Sequence, residues 1–345
     1  MTSDNLGESG VPYFAVWPVG YPAIIATASK VTGLSFFWAS KFANILIAVS
    51  LLAVFILAFG NTAPVYASTL LFSSYIKIFT YTWSESLFIL FLVIFTLSLA
   101  QSTKTSKFSN TKWMITTGLA ALGLFLSRYI GIFAIGMMWV MCGYLVLVQK
   151  KLEACIKLIC ISLAILSIES AYLYNNWIQT GYITGIDRVA APETNMELLN
   201  AFTSAVWLEM LFTISDYTGR NSTLLLIGLI TAQLIFFIYC IDLIWKAIRV
   251  GSFKIDHTSI MFFLIGSSYF LAITTLRWIS DFDHFNYRLF APATLLILIG
   301  ITRTVELSCT EKYFSRYSIA IALAAITSIV ISTYDINFVY QFTRY

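Results

Sequence analysis

Residues 37–59 read FWASKFANILIAVSLLAVFILAF, a stretch whose single charge is Lys41. A helix needs about 20 mostly apolar residues to cross the hydrocarbon core of a bilayer, where no backbone group can go unpaired. This stretch meets that requirement, and the pattern recurs at 64–81, 86–102, 113–127, 129–149, 156–175, 221–245, 258–276, 289–305 and 317–334. The pattern predicts an all-α polytopic membrane helix bundle of about 10 transmembrane helices. The spans 113–127 and 129–149 are short and meet at Arg128, so one of them is expected to be broken or tilted. Positions 23–36 are too short and too polar to cross, and they read as a helix lying at the interface.

The whole chain agrees with its decisive stretch. Of 345 residues, 59% are hydrophobic and 11% charged, whereas a soluble domain carries about 25% charge. A single water-soluble core stops growing near ~250–300 residues, so burial in a larger core does not account for the excess. A soluble enzyme, a nucleic-acid binder and a disordered scaffold are excluded. The sequence reads as one integral-membrane domain over 1–345, with an outer segment at 1–36 and an outer loop at 176–220 that carries an amphipathic helix.

Orientation follows from the basic residues, which favour cytoplasmic loops. One set of alternating loops holds Lys104, Lys107, Lys112, Lys150, Lys151, Lys157, Lys246, Arg249, Lys254, Arg303, Lys312 and Arg316, against Glu153, Asp242, Asp256, Glu306 and Glu311. That set is expected inside, which puts the N-terminal segment, 176–220, 277–288 and the C-terminus outside. The five cysteines fall in spans or inner loops, with no disulfide framework or zinc spacing. Residues 1–16 are polar and lack a signal-peptide pattern. A late start, with a helix missing upstream, is the expected explanation.

Charge and aromatics concentrate in five outer features. Trp17-Pro18-Val19-Gly20-Tyr21-Pro22 is a stiff turn or an interface anchor. Glu85 in Trp83-Ser84-Glu85-Ser86 is a helix cap or a functional carboxylate. Arg128 in Ser127-Arg128-Tyr129-Ile130-Gly131 needs a carboxylate, a phosphate or water, and its fork fits phosphate oxygens. In 176–220, Asp187-Arg188 precedes Leu198, Leu199, Phe202, Val206 and Met210 at helical spacing, either an amphipathic helix or a loop covering the bundle. Asp281-Phe282-Asp283-His284-Phe285-Asn286-Tyr287-Arg288 is a solvated loop or a site for a metal or a phosphate. With two histidines in the chain, a multi-histidine metal site is out. Lys77 and Glu169 lie near span ends, where a long side chain snorkels. P-loop, GxSxG, HExxH, CxxC and dinucleotide patterns are absent.

Taken in order, WPVGYPAI (17–24), WSESLFIL (83–90), SRYIGIF (127–133) and YRLFAPATLLIL (287–298) resemble the polytopic glycosyltransferase C superfamily, in particular bacterial relatives of protein O-mannosyltransferases and lipid A aminoarabinose transferases. The match extends over roughly residues 12–300. The resemblance implies a membrane glycosyltransferase of the inner (plasma) membrane. It would move a sugar from a polyprenyl-phosphate-linked donor to a glycan, lipid or protein acceptor on the outer face. It implies Arg128, Arg288 and Arg188 as donor-phosphate contacts, with Arg277 assisting, and Trp17, Tyr21, Tyr129, Asp283, His284 and Tyr287 as cavity residues. A carboxylate would serve as general base within hydrogen-bond reach of the acceptor. The family places that acid in a first outer loop, after a helix this chain lacks. The candidates are therefore Asp4 and Glu8, with Glu85 matching the Glu of the Ser-Glu motif. No cofactor is implied, no metal ligand set is assigned, and nucleic acid is not a partner. An O-antigen polymerase or ligase and a non-enzymatic lipid or solute transporter are the alternatives. The first predicts a larger, more basic outer loop, the second internal repeats and mid-bilayer polar groups.

Overall fold

The structure is a computed structural model and describes residues 15–104, 111–185, 194–210, 223–279 and 285–333. In chain order its helices are α1 (Gly20–Thr32), α2 (Phe36–Phe59), α3 (Ala63–Ser68), α4 (Ser73–Thr80), α5 (Glu85–Thr103), α6 (Thr111–Ser127), α7 (Phe133–Leu147), α8 (Leu152–Thr180), α9 (Asn195–Met210), α10 (Thr223–Val250), α11 (His257–Ile279), α12 (Tyr287–Ser308) and α13 (Glu311–Thr333). Among the described residues there is no strand, and eight helices are long and apolar enough to cross a membrane. The protein is a multi-pass helical membrane protein.

Two expected spans differ. The 64–81 stretch is not one helix. Gly60 turns the chain at φ 57°, Pro64 opens α3, and Phe72 is extended before α4. Within it, the Ser68 and Thr69 hydroxyls each donate to a carbonyl three residues back at 2.6 Å, which competes with helical pairing. The 113–127 stretch forms α6, whose 17 residues reach about 25 Å at 1.5 Å per residue. Within the stretch 23–36, expected as one helix at the interface, the chain forms α1, which begins at Gly20 and is stopped by left-handed Gly33.

The described residues divide into two compact units that interleave in sequence, one within Met1–Leu51, Thr82–Ala191 and Leu271–Asp283, the other within Leu52–Tyr81, Pro192–Phe270 and His284–Tyr345. In the first, α5 is apolar all round and buried nearly throughout, as a central helix must be. It pairs antiparallel with α6, where Thr117 donates to Ser98 at 3.0 Å. At the end that carries the basic loops, Gln149 donates to the Thr103 carbonyl at 2.9 Å. At the other end Glu85, the first residue of α5, meets Arg128, just past α6, with Nη1–Oε1 at 2.7 Å. Both side chains are buried.

A 3-10 turn, Tyr129–Ile132, follows Arg128 and folds back on α6. A Cβ on Gly131 would stand 2.3 Å from the backbone of Leu124 and Phe125, and one on Gly20 would stand 2.5 Å from the Leu126 carbonyl oxygen. Two motif glycines thus let the turn and α1 press directly on the last turn of α6. Along α8, Ser162, Ile165, Glu169 and Asn176 are buried, with half-buried Tyr172 completing a stripe at three- and four-residue spacing. Glu169 is 0% exposed and faces protein, so it does not snorkel; neither carboxyl oxygen has a hydrogen-bond partner among the described residues.

In the second unit α12 is the buried centre. The Ser308 hydroxyl accepts from the Lys254 amide at 2.9 Å and so joins the α10–α11 loop to the α12–α13 turn, both inner loops by the charge reading. Arg303 pairs with Glu306 at 2.7 Å and with Asp256 at 3.3 Å, and Tyr66 donates to Glu306 at 2.6 Å. The amphipathic helix expected within 176–220 is α9. It starts at a reciprocal capping box in which the Thr194 amide donates to Glu197 at 2.8 Å and the Glu197 amide donates to Thr194 Oγ1 at 3.2 Å. Those bonds hold the Glu197 carboxyl below its ordinary range. Lys77 is also buried, at 8% exposure, in an eight-residue helix too short to span, which rules out the snorkelling reading for it as well.

Gly131→Ala and Gly20→Ala should each lower stability by about 1–3 kcal/mol through overpacking. Gly136→Ala, where a Cβ meets nothing within 4 Å, should be neutral or slightly stabilising; melting of the detergent-purified variants checks the contrast. Glu85→Ala or Arg128→Ala alone should cost about 3–5 kcal/mol, because a buried charge loses its 2.7 Å counter-ion. The double variant should cost less than the sum of the two, and a double-mutant cycle measures the difference.

Candidate functional site

In the first unit, three of the four sequence motifs meet at the end opposite the basic loops. Tyr21 Oη and Ser86 Oγ both donate to Asn44 Oδ1, at 2.9 and 2.8 Å. Ser40 and Thr82 share a hydrogen bond of 2.8 Å. Tyr129 Oη donates to the Ala15 carbonyl at 2.6 Å and accepts from Asn176 Nδ2 at 3.1 Å. Glu85 and Arg128 complete the rim. Each of these pairs satisfies buried or half-buried polar groups, as burial requires. Burial pushes the Tyr21 hydroxyl up to about 12, so it acts as a neutral donor. Arg128 is 6% exposed, and at this rim its guanidinium serves a carboxylate. The sequence left a carboxylate and a phosphate open as its partner.

In the second unit, the fourth motif opens α12. Asn286 caps it, its Oδ1 accepting from the Arg288 amide at 3.0 Å, and Tyr287 and Arg288 are half-buried on the first turn. Lys77 Nζ from α4 lies 6.0 Å from the centroid of the Tyr287 ring, within cation–π range. Pro292 lies inside the helix and supplies no N–H to the Arg288 carbonyl one turn back. Two cations and a helix N-terminus gather here, an arrangement that suits an anion.

One group in this unit escaped the sequence reading. Two turns into α12, Thr294 Oγ1 donates to Glu209 Oε1 at 2.7 Å, and Ser74 Oγ reaches the same oxygen at 3.4 Å. Tyr75 Oη and Thr294 Oγ1 are 3.0 Å apart. Glu209 is 0% exposed, and burial pushes its carboxyl up to about 8, against the lowering effect of the two hydroxyls. The signal was present in spacing. Leu198, Phe202, Ala205 and Glu209 follow helical spacing on α9, and Leu198, Ala205 and Glu209 are buried. An acid on an apolar stripe was the clue.

Trp17 is 41% exposed, Arg277 is buried near the end of α11, and Tyr129 and Tyr21 are tied into the rim. Asp4, Glu8, Arg188, Asp281, Asp283 and His284 lie outside the described residues. Among the described residues no group of three or more His, Cys, Asp and Glu is placed to hold a metal ion.

No protein-family model matches the chain, and no curated protein matches it in sequence. Among solved structures, it is similar to the crystal structure of ArnT from Cupriavidus metallidurans bound to undecaprenyl phosphate, with a TM-score of 0.53 at 14% identity. The match covers 93% of this chain and 56% of that one, so the chain spans about half the length of ArnT. The likeness is one of fold: this protein has an ArnT-like arrangement of membrane helices.

Proposed function

We propose that this protein is a membrane glycosyltransferase that takes a sugar from a polyprenyl-phosphate-linked donor and transfers it on the outer face of the plasma membrane. The observation that carries the reading is the likeness to a protein solved with undecaprenyl phosphate. The four motifs that prompted the resemblance support it by forming built ends within their own units.

The roles divide by chemistry. A donor with an apolar tail and an anionic head needs cations at headgroup depth. Arg288, beside the N-terminus of α12, and Lys77, over Tyr287, supply them in the second unit. Arg188, outside the described residues, is a further candidate for the donor phosphate. As the carbon–oxygen bond to phosphate breaks, negative charge grows on the departing phosphate, and fixed cations stabilise it without reorganising. The acceptor hydroxyl gives its proton to Asp4 or Glu8. Glu85 is held by Arg128, and we assign that pair to shaping the rim that carries Tyr129 and Tyr21, with Arg128 outside the donor contacts. The acceptor is a glycan, lipid or protein hydroxyl, and no cofactor enters.

Arg288→Ala should reduce transfer from a short-chain polyprenyl-phosphate sugar by about 10²–10³-fold while leaving the protein inserted and folded. Normal turnover in that variant removes the phosphate assignment. Cysteines placed in 102–112 and 246–256 should label only from the cytoplasmic side in intact cells, and labelling from outside inverts the orientation.

A further inference from the structure

Helix α9 packs along the first turns of α12 through two points seven residues apart. At one end Phe202 contacts Phe285 and Phe290, with ring centroids 5.3 and 5.9 Å apart. At the other, Glu209 reaches Thr294. Tyr287 and Arg288 lie between the two phenylalanines that Phe202 contacts, so α9 runs beside the stretch of α12 to which the proposed function assigns the donor phosphate.

The second point is unusual chemically. Glu209 Oε1 accepts from two hydroxyls, and Oε2 has no partner among the described residues. No lysine or arginine pairs with this carboxyl among the described residues. The ionisable side chains on the packed elements are Tyr75 of α4, which meets Thr294, and Lys77 two residues further along α4, whose Nζ lies over Tyr287. From α12 they are Tyr287 and Arg288, two turns above Thr294. On α9 itself Glu197 is twelve residues away and committed to its capping box. A carboxylate buried here would be uncompensated, and a buried group of that kind neutralises by keeping its proton.

We propose that Glu209 is a positioning residue that works as a proton-dependent clasp: in its neutral form it fastens α9 against the head of α12, and ionisation releases it. Oε1 acts as the carbonyl-like acceptor of Thr294 and Ser74, while Oε2 keeps the hydrogen. Released into water, the same carboxyl titrates near about 4.3, against about 8 when docked. The docked form binds the proton more tightly. Docking is therefore fully stabilised below the released value and weakens as pH rises, reaching its minimum above the docked value. The role rests on the proposed function only where it concerns the donor; the clasp itself requires no substrate.

The test is hydrogen exchange of 195–210 in the detergent-purified full chain, corrected for intrinsic rates, from pH 5 to 9.5. Opening of α9 in the wild type should rise by up to about tenfold per pH unit between about pH 5 and 8 and then level off. Glu209→Gln, a neutral isostere, should abolish the slope, and Glu209→Met should do the same. A flat wild-type profile overturns the clasp, and so does a slope that persists in either variant. Sugar transfer measured over the same pH range separates the two ideas. Transfer with a flat exchange profile sinks the clasp alone, and a sloped exchange profile without transfer sinks the glycosyltransferase reading alone.

Discussion

Charge that leaves water for a helix bundle must meet an opposite charge, a set of hydrogen bonds or a proton, and the architecture of each unit follows from how this is met. Glu85 and Arg128 take the first route. Their pairing at 2.7 Å joins the start of α5 to the end of α6, two helices that the sequence places 43 residues apart at these positions. Such a pair adds little net stability over a well-packed apolar alternative. What it does supply is a register, because α5 and α6 can exchange these partners in one arrangement only. Arg303, Glu306 and Asp256 do the same at the other end of the second unit, with Tyr66 as a third donor.

Glu209 takes the remaining routes together, with two hydroxyls on one oxygen and a proton on the other. Glu169 has neither hydroxyl nor cation among the described residues, and it lies in a stripe with Ile165 and Tyr172. Intramembrane carboxyls are costly to keep. Among the described residues, Glu85 and Glu169 lie in helices long enough to span, the first paired with Arg128 and the second on the buried stripe of α8, while Glu209 is buried on α9, which is not one of those helices.

How much of this was legible in the sequence depends on the distance over which each signal acts. The long helices α5, α8 and α10 to α13 were readable because bilayer thickness imposes a local requirement on every twenty-residue window. The break across 64–81 was not, because average apolarity does not register Gly60, Pro64 or the hydroxyls of Ser68 and Thr69 bonding to their own backbone. The motif positions were found, but their partners were not. Asn44, within the first span, accepts from both Tyr21 and Ser86. Gly20 was read as part of a stiff turn, whereas it and Gly131 admit a neighbouring backbone. Both facts depend on which helix lies opposite, and a single sequence does not carry that.

The same partner problem decides which arginine suits an anionic headgroup. A guanidinium already 2.7 Å from a carboxylate presents little net charge to a phosphate. To serve one it must either give up that contact or bind as part of a neutral pair. At an effective dielectric of about 20, two unit charges 4 Å apart attract by roughly 4 kcal/mol, and a new anion would have to replace most of that. Arg288 stands in a different field. Its own amide is capped by Asn286, the N-terminal dipole of α12 adds positive potential over the same first turn, and Lys77 lies above the adjacent ring. On the proposed reading, an anion arriving there meets a guanidinium, an ammonium and a helix N-terminus over one turn, whereas at the Glu85–Arg128 rim it meets a guanidinium already engaged by a carboxylate.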